Sequence, residues 1–214
     1  LKVSLYSLLL SGYYLMLRAY SNQDDIVIGT PVANRHYAQI ENLIGFFVNS
    51  LALRTNIDTN STIKEFIQKI GEEVVQAQLH QDLPFEKLVE ELNIAKDTSR
   101  HPIFQVMFGV QSFGAEIGNQ SDKQKNLLNL LQPYTGDASY NIAKFDISTF
   151  IDDTKEQLTG SFNYAVSLYD EESIKRFIGT YIRILEQFAK FKQEEKDQKF
   201  DQLVSDINYL NEQE

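Results

Sequence analysis

The 214-residue chain has no cysteine and no tryptophan, and only three histidines, His36, His80 and His101. Without cysteine there is no disulfide, thiolate zinc site, iron–sulfur cluster or thiol nucleophile. A chain of this length can bury a core without covalent staples, so the absence fits a reducing, cytoplasmic setting. The three histidines stand in separate segments, so neither an HExxH zinc helix nor an adjacent histidine pair can form locally, and no metal site is expected. Basic charge is also scarce: 20 Lys and Arg against 30 Asp and Glu give −10 at pH 7. Counterion release needs clustered cations, which argues against nucleic acid as a partner. The most apolar stretch, Leu5 to Leu17, is too short for a bilayer span and carries Ser7, Ser11 and Gly12. No cleavage site of the signal-peptide kind follows it, so no membrane partner is expected either. The chain begins at Leu1 rather than Met, as a piece cut from a longer protein would.

What is present reads as an alternation of helices and strands. Residues 3 to 20 are apolar on nearly all faces, which predicts a helix buried between layers. The turn cluster 21 to 25 leads to Ile26-Val27-Ile28, a short buried strand ended by Gly29 and Pro31. After a polar loop, residues 47 to 57 alternate as a second strand. Ser61 or Thr62 then caps an amphipathic helix to about Gln81, and Pro84 starts a short one through Leu92. Val106 to Val110 is β-like, 113 to 126 reads as a surface loop, and 145 to 152 with 157 to 164 make a hairpin. Asp170 opens a long helix with Ile174, Phe177, Ile178, Tyr181, Ile182, Leu185, Phe188 and Ala189 on one face. The charged run 190 to 199 reads as its solvated end. Irregular mixing of the two element types favours a two-layer α+β fold over strict βαβ winding.

No arrangement of these residues names a reaction by itself. Adjacent carboxylates such as Glu72-Glu73 and Asp152-Asp153 point to different sides of an element and read as surface charge. His80 reads as a helix-end residue rather than a general base.

Three segments, in order, carry a resemblance: Ile44-Gly45-Phe46-Phe47-Val48-Asn49-Ser50-Leu51-Ala52-Leu53-Arg54, His80-Gln81-Asp82-Leu83-Pro84-Phe85-Glu86, and Lys96 through Phe108 with Asp97-Thr98-Ser99-Arg100-His101-Pro102. Asp25 through Arg35 and Ala143-Lys144-Phe145-Asp146-Ile147 fit the same pattern. Together they resemble the condensation domains of nonribosomal peptide synthetases. The family's His-His-x-x-x-Asp-Gly motif has no counterpart here, so the chain is similar to the C-terminal lobe only, over residues 1 to 214, with the start of a linker to the next domain from about residue 193.

The resemblance implies an α+β fold with a two-layer mixed sheet and helices, one lobe of a chloramphenicol-acetyltransferase-like pseudo-dimer. It implies peptide-bond formation between two thioesters held on phosphopantetheine arms of carrier domains, with no cofactor bound directly and no catalytic residue in this chain. The implied partners are the N-terminal lobe, the upstream and downstream peptidyl carrier domains and a neighbouring adenylation domain. The face that meets the absent lobe is expected to be apolar. By the family pattern Gly29, Thr30, Asn49 and Ala143 face the substrate tunnel. Asp82 and Glu86 are expected as helix-start acceptors, Asp97 and Arg100 as an ion pair, and Asp146 as a structural residue. A lobe kept only as a noncatalytic carrier-docking or interdomain scaffold is the alternative.

Overall fold

A computed structural model describes residues 3–35, 37–41, 43–95, 97, 99–111, 143–153, 157–193 and 201–209. The first helix, α1 (Leu5–Ser21), is capped by Ser4, whose hydroxyl accepts from the Ser7 amide, and ends at Asn22 in the left-handed conformation. Because it is apolar all round, it takes the centre of the helical layer. There α3 (Ile63–Leu79) and α5 (Glu171–Gln193) flank it. Leu9, Leu10, Tyr13, Tyr14, Leu15 and Met16 are all buried. A capping box closes the start of α3, with Thr62 and Glu65 exchanging bonds between side chain and backbone.

Under this layer lies one five-stranded sheet in the order β2-β1-β3-β4-β5. Its strands are β1 (Asp25–Val32), β2 (Asn49–Asn56), β3 (Val106–Gln111), β4 (Ile147–Asp152) and β5 (Thr159–Tyr164). The outer pairs β1–β2 and β4–β5 are antiparallel, while β1–β3 and β3–β4 are parallel, so the sheet is mixed. Tyrosines stitch the layers. Tyr14 donates to the Leu53 carbonyl, Tyr181 to the Leu9 carbonyl, and Tyr13 accepts from Thr149. Burial holds all three phenols well above their ordinary range.

Three expectations change. β1 does not stop at Gly29 but runs through Pro31, which lies beyond Gly29–Met107, the one position where β1 pairs with β3. A missing N–H costs least at such a fraying end. In α5 the inward seam is Ile174, Tyr181, Ile184 and Phe188, and Ile182 is half-exposed. Within the stretch read as a linker, residues 201–209 are built into the domain. Leu203 bridges to Thr62, the Ile63 amide donates to the Gln202 carbonyl, and Val204 and Ile207 are buried. The charged run belongs to α5 as far as Gln193, while its remainder and the loop 113 to 126 lie outside the described residues. Among the described residues no helix is long and apolar enough to cross a membrane.

Candidate functional site

Side chains alternate along β1, and the alternation separates the two neighbours Gly29 and Thr30. Ile28 and Thr30 turn towards the helices, so Gly29 turns the other way. Thr30 is buried, and its hydroxyl accepts from Tyr6 at 2.8 Å. Beside this pair lies a cavity of about 290 Å³, lined among others by Leu51, Val74, Gln78 and Val110. Burial pushes the Tyr6 phenol up to about 12, so at neutral pH it is a hydrogen-bond donor and not a base.

On the opposite face the space that a side chain at position 29 would need is filled. A Cβ there would lie 2.0 to 2.5 Å from three carbons of the Phe104 ring. The ring is 1% exposed and stands in an aromatic cluster, with centroids 4.6 Å from His101, 5.4 Å from Phe85 and 5.7 Å from Phe145. His101 also stacks on Phe85 at 5.1 Å. Its Nδ1 lies 2.8 Å from the Pro102 carbonyl and 3.2 Å from the Phe104 carbonyl. Both partners are acceptors, so Nδ1 carries the proton and the ring is fixed. The turn that delivers Phe104 is tight, with Ile103 at φ 70°. A second pair repeats the arrangement one strand away, where a Cβ at Gly109 would meet the Phe150 ring at 2.8 Å.

Asn49 reaches this cluster through backbone. Its Nδ2 donates to the carbonyls of Gln81 and Leu83, both at 2.8 Å, and its Oδ1 accepts the amide of Phe85 at 3.2 Å. Phe85 opens α4 (Phe85–Glu91), a helix with no buried residue and Pro84 in the capping position. Asn49 on β2 thus supplies an acceptor at the helix start, beside the expected Asp82 and Glu86. Glu86 lies in the first turn, where its charge complements the helix dipole. The His80 amide ends α3 by donating to Ala77 and Gln78.

The remaining sequence candidates have local partners. The Asp97 carboxylate accepts from the amide and hydroxyl of Ser99, which holds its pKa below the usual range, and it lies 3.5 Å from Arg100. Asp146 ties strands through its backbone, donating to the Gln105 carbonyl and accepting from the Ala165 amide. Ala143 is half-buried, two residues before Phe145. The structure thus gathers Gly29, Asn49 and the Ala143–Asp146 stretch around the Phe104 cluster, and it leaves Thr30 on the other side of the sheet. Sequence reasoning missed Phe104 and His101 as organisers. The alternation Ile26, Ile28, Thr30 was the signal that separates Thr30 from Gly29.

The chain matches the family model described as condensation domain over residues 1–210. It is 43% identical over 188 residues to an N-(5-amino-5-carboxypentanoyl)-L-cysteinyl-D-valine synthase of Amycolatopsis lactamdurans, covering 88% of this chain and 5% of that protein. It is 37% identical over 186 residues to surfactin synthase subunit 1 of Bacillus subtilis, covering 87% of the chain and 5% of that protein. Bacitracin synthase 3 of Bacillus licheniformis is 33% identical over 211 residues, 99% of the chain and 3% of its own length. The chain therefore spans a small fraction of the curated relatives it matches. Among solved structures, a four-domain nonribosomal peptide synthetase bound to AMP and glycine superposes with a TM-score of 0.79 at 23% identity, covering 99% of this chain and 16% of its own. The X-domain of teicoplanin biosynthesis in complex with OxyB gives 0.76 at 24% identity, covering 98% and 43%.

Proposed function

Since the chain belongs to the condensation-domain family, we propose that it is one lobe of a condensation domain in a modular peptide synthetase, and that it works only with the rest of that domain. The family role is formation of an amide between thioester-tethered substrates. The α-amine of one substrate attacks the thioester carbonyl of the other, a C–N bond forms, the C–S bond breaks, and the thiolate leaves and takes up a proton. An α-amine with a pKa of about 7.7 to 8.0 is substantially unprotonated near neutral pH. Alignment of the two reactants can supply roughly 7 to 11 kcal/mol, so walls that hold tethered arms at attack distance carry much of the task. In this reading the histidine motif comes from outside the chain, and the chain supplies a tunnel wall on the acceptor side. Gly29 contributes by seating Phe104, and Asn49 by fixing the start of α4. Ala143 completes the wall by the family pattern, while Thr30, on the opposite face, is left out of it. Phosphopantetheine arms on carrier domains bring both substrates, and an adenylation domain neighbours the lobe.

The observation that carries the reading is coverage. The family match fills residues 1–210, yet the chain accounts for only 41 to 45% of solved chains of condensation-domain type. The test joins the chain to the preceding part of its parent domain and assays dipeptidyl-thioester formation from two loaded carrier domains. The joined protein should form product and the 214-residue chain alone should not. Product from the lone chain would overturn the reading. The X-domain in complex with OxyB is a relative of the same fold bound to another protein, and it motivates the scaffold alternative. A joined protein with an intact histidine motif that binds carriers but makes no amide would favour that alternative.

A further inference from the structure

Arg35 follows β1 where the chain leaves the sheet, one residue after Asn34, whose φ of 52° turns the backbone. Its Nη1 donates to the carbonyls of Ile40 and Leu43, at 2.8 and 2.6 Å, and its Nη2 to the carbonyl of Gly45 at 3.0 Å. The same guanidinium lies 4.4 Å from the centre of the Phe47 ring. Gly45 leaves room for that ring, since a Cβ there would approach it to 2.9 Å. One side chain thus gathers three carbonyls and a ring from residues 37–41 and 43–48, whose regular structure is one four-residue helix, α2 (Ala38–Glu41).

Four of the side chains this loop turns outward are large and apolar. Ile44 is 104% and Phe46 89% exposed, and Leu43 and Val48 are about half-exposed. Phe46 and Phe47 divide the work: one ring stands in solvent, the other lies under Arg35. Single exposed apolar residues need no explanation, but four of them within residues 43–48 are a concentration that calls for one. Such a loop would be expected to fold back on its neighbours. The guanidinium fork holds it out by its backbone instead.

We propose that Arg35 is a positioning residue, which holds this apolar loop in the shape received by the part of the condensation domain that lies outside this chain. The inference rests on the proposed function above. The occupant is chosen by two facts: more than half of each solved chain of condensation-domain type lies beyond the matched region, and the loop exposes four large apolar side chains that such a partner would cover. A guanidinium is needed because a planar fork reaches several carbonyls while its face lies on a ring, which the point charge of a lysine cannot do.

The test compares the full chain as wild type, R35K and I44S, with a separate polypeptide carrying the preceding part of the parent condensation domain as the binding probe. Two quantities are measured: amide hydrogen exchange at residues 37–41 and 43–48, and the Kd for the probe by calorimetry. A circular-dichroism melt checks that each variant is folded. R35K should speed exchange in the loop at least tenfold, leave α1 exchange unchanged, and weaken probe binding at least tenfold. I44S should leave loop exchange within twofold of wild type and still weaken binding. R35K with wild-type exchange or wild-type binding overturns the role of Arg35. Wild-type chain that fails to bind the probe overturns the proposed function and the assigned occupant with it, whatever the exchange data show.

Discussion

Gly29→Ala places one methyl group into the Phe104 ring. The added carbon would sit 2.0 Å from Cε2, 2.4 Å from Cζ and 2.5 Å from Cδ2, where ordinary contact starts near 3.4 Å. Relief therefore requires the ring to move by more than an ångström. Phe104 has little freedom to do so: it is 1% exposed and boxed by His101, Phe85 and Phe145. Overpacking of a well-filled core costs about 1–3 kcal/mol, and the rigid surroundings put this site at the upper end. For a domain of this size that corresponds to a fall in Tm of roughly 6–12 °C. Phe104→Ala alone removes the ring and should cost about 3–5 kcal/mol. In the double variant the new methyl occupies space the ring has vacated, so the combined loss should be smaller than the sum by about 1–3 kcal/mol. Urea unfolding of the four proteins, followed by circular dichroism, gives the coupling directly. Strict additivity, or a Gly29→Ala protein within about 0.5 kcal/mol of wild type, would refute the packing argument. A glycine kept only to let a tethered arm pass would give that second result, losing activity at unchanged stability.

Asn49→Asp keeps the acceptor for Phe85 but turns two donated bonds, to Gln81 and Leu83, into contacts between a carboxylate and carbonyl oxygens. The expected local cost is about 1–3 kcal/mol, and since α4 is seven residues long and buries none of them, exchange of its amides should accelerate while those of α3 hold. Unchanged α4 protection would show that Asn49 does not hold the helix start. Glu73 is half-buried, and desolvation raises its pKa, opposed by Lys69 at 3.8 Å. An acid whose folded-state pKa is raised destabilises the fold above that pKa, and the penalty disappears as pH falls through the carboxylate range. Glu73→Gln should therefore raise the urea midpoint at pH 7 and match wild type near pH 4, and an equal gain at both values would show another cause.

Much of the architecture is legible along the chain because it is set by local periodicity. The all-round apolar surface of Leu5–Ser21 states that α1 is covered along its middle, and the seam of α5 follows in part from its spacing: Ile174, Tyr181 and Phe188 are buried as read, while Ile182 and Ala189 are exposed and Ile184 takes a buried place the spacing did not assign. β1 is cut short in the sequence because Gly29 and Pro31 read as breakers. Only the sheet shows that the first is needed by a ring and that the second falls where pairing to β3 has ended. The site is less legible for a related reason. Asn49 bonds residues 32 to 36 positions away, and Gly29 meets a ring that arrives from another strand's approach. Such relations belong to the fold as a whole, and no window of neighbouring residues contains them. His101 illustrates the same limit: its proton is fixed by two carbonyls of a strained turn at Ile103.

The paired glycines of β1 and β3 have one more effect. Phe104 over Gly29 and Phe150 over Gly109 set two rings close against adjacent strands, on the face turned away from the helices. Rings seated in this way have already given up their rotamer freedom during folding. Side chains ordered in advance need not be ordered again when something packs on this face, which saves about 0.5–1.5 kcal/mol for each of them. Phe104, 1% exposed, is itself out of a guest's reach, so its part is to stiffen this face of the sheet from beneath and not to touch what lies on it.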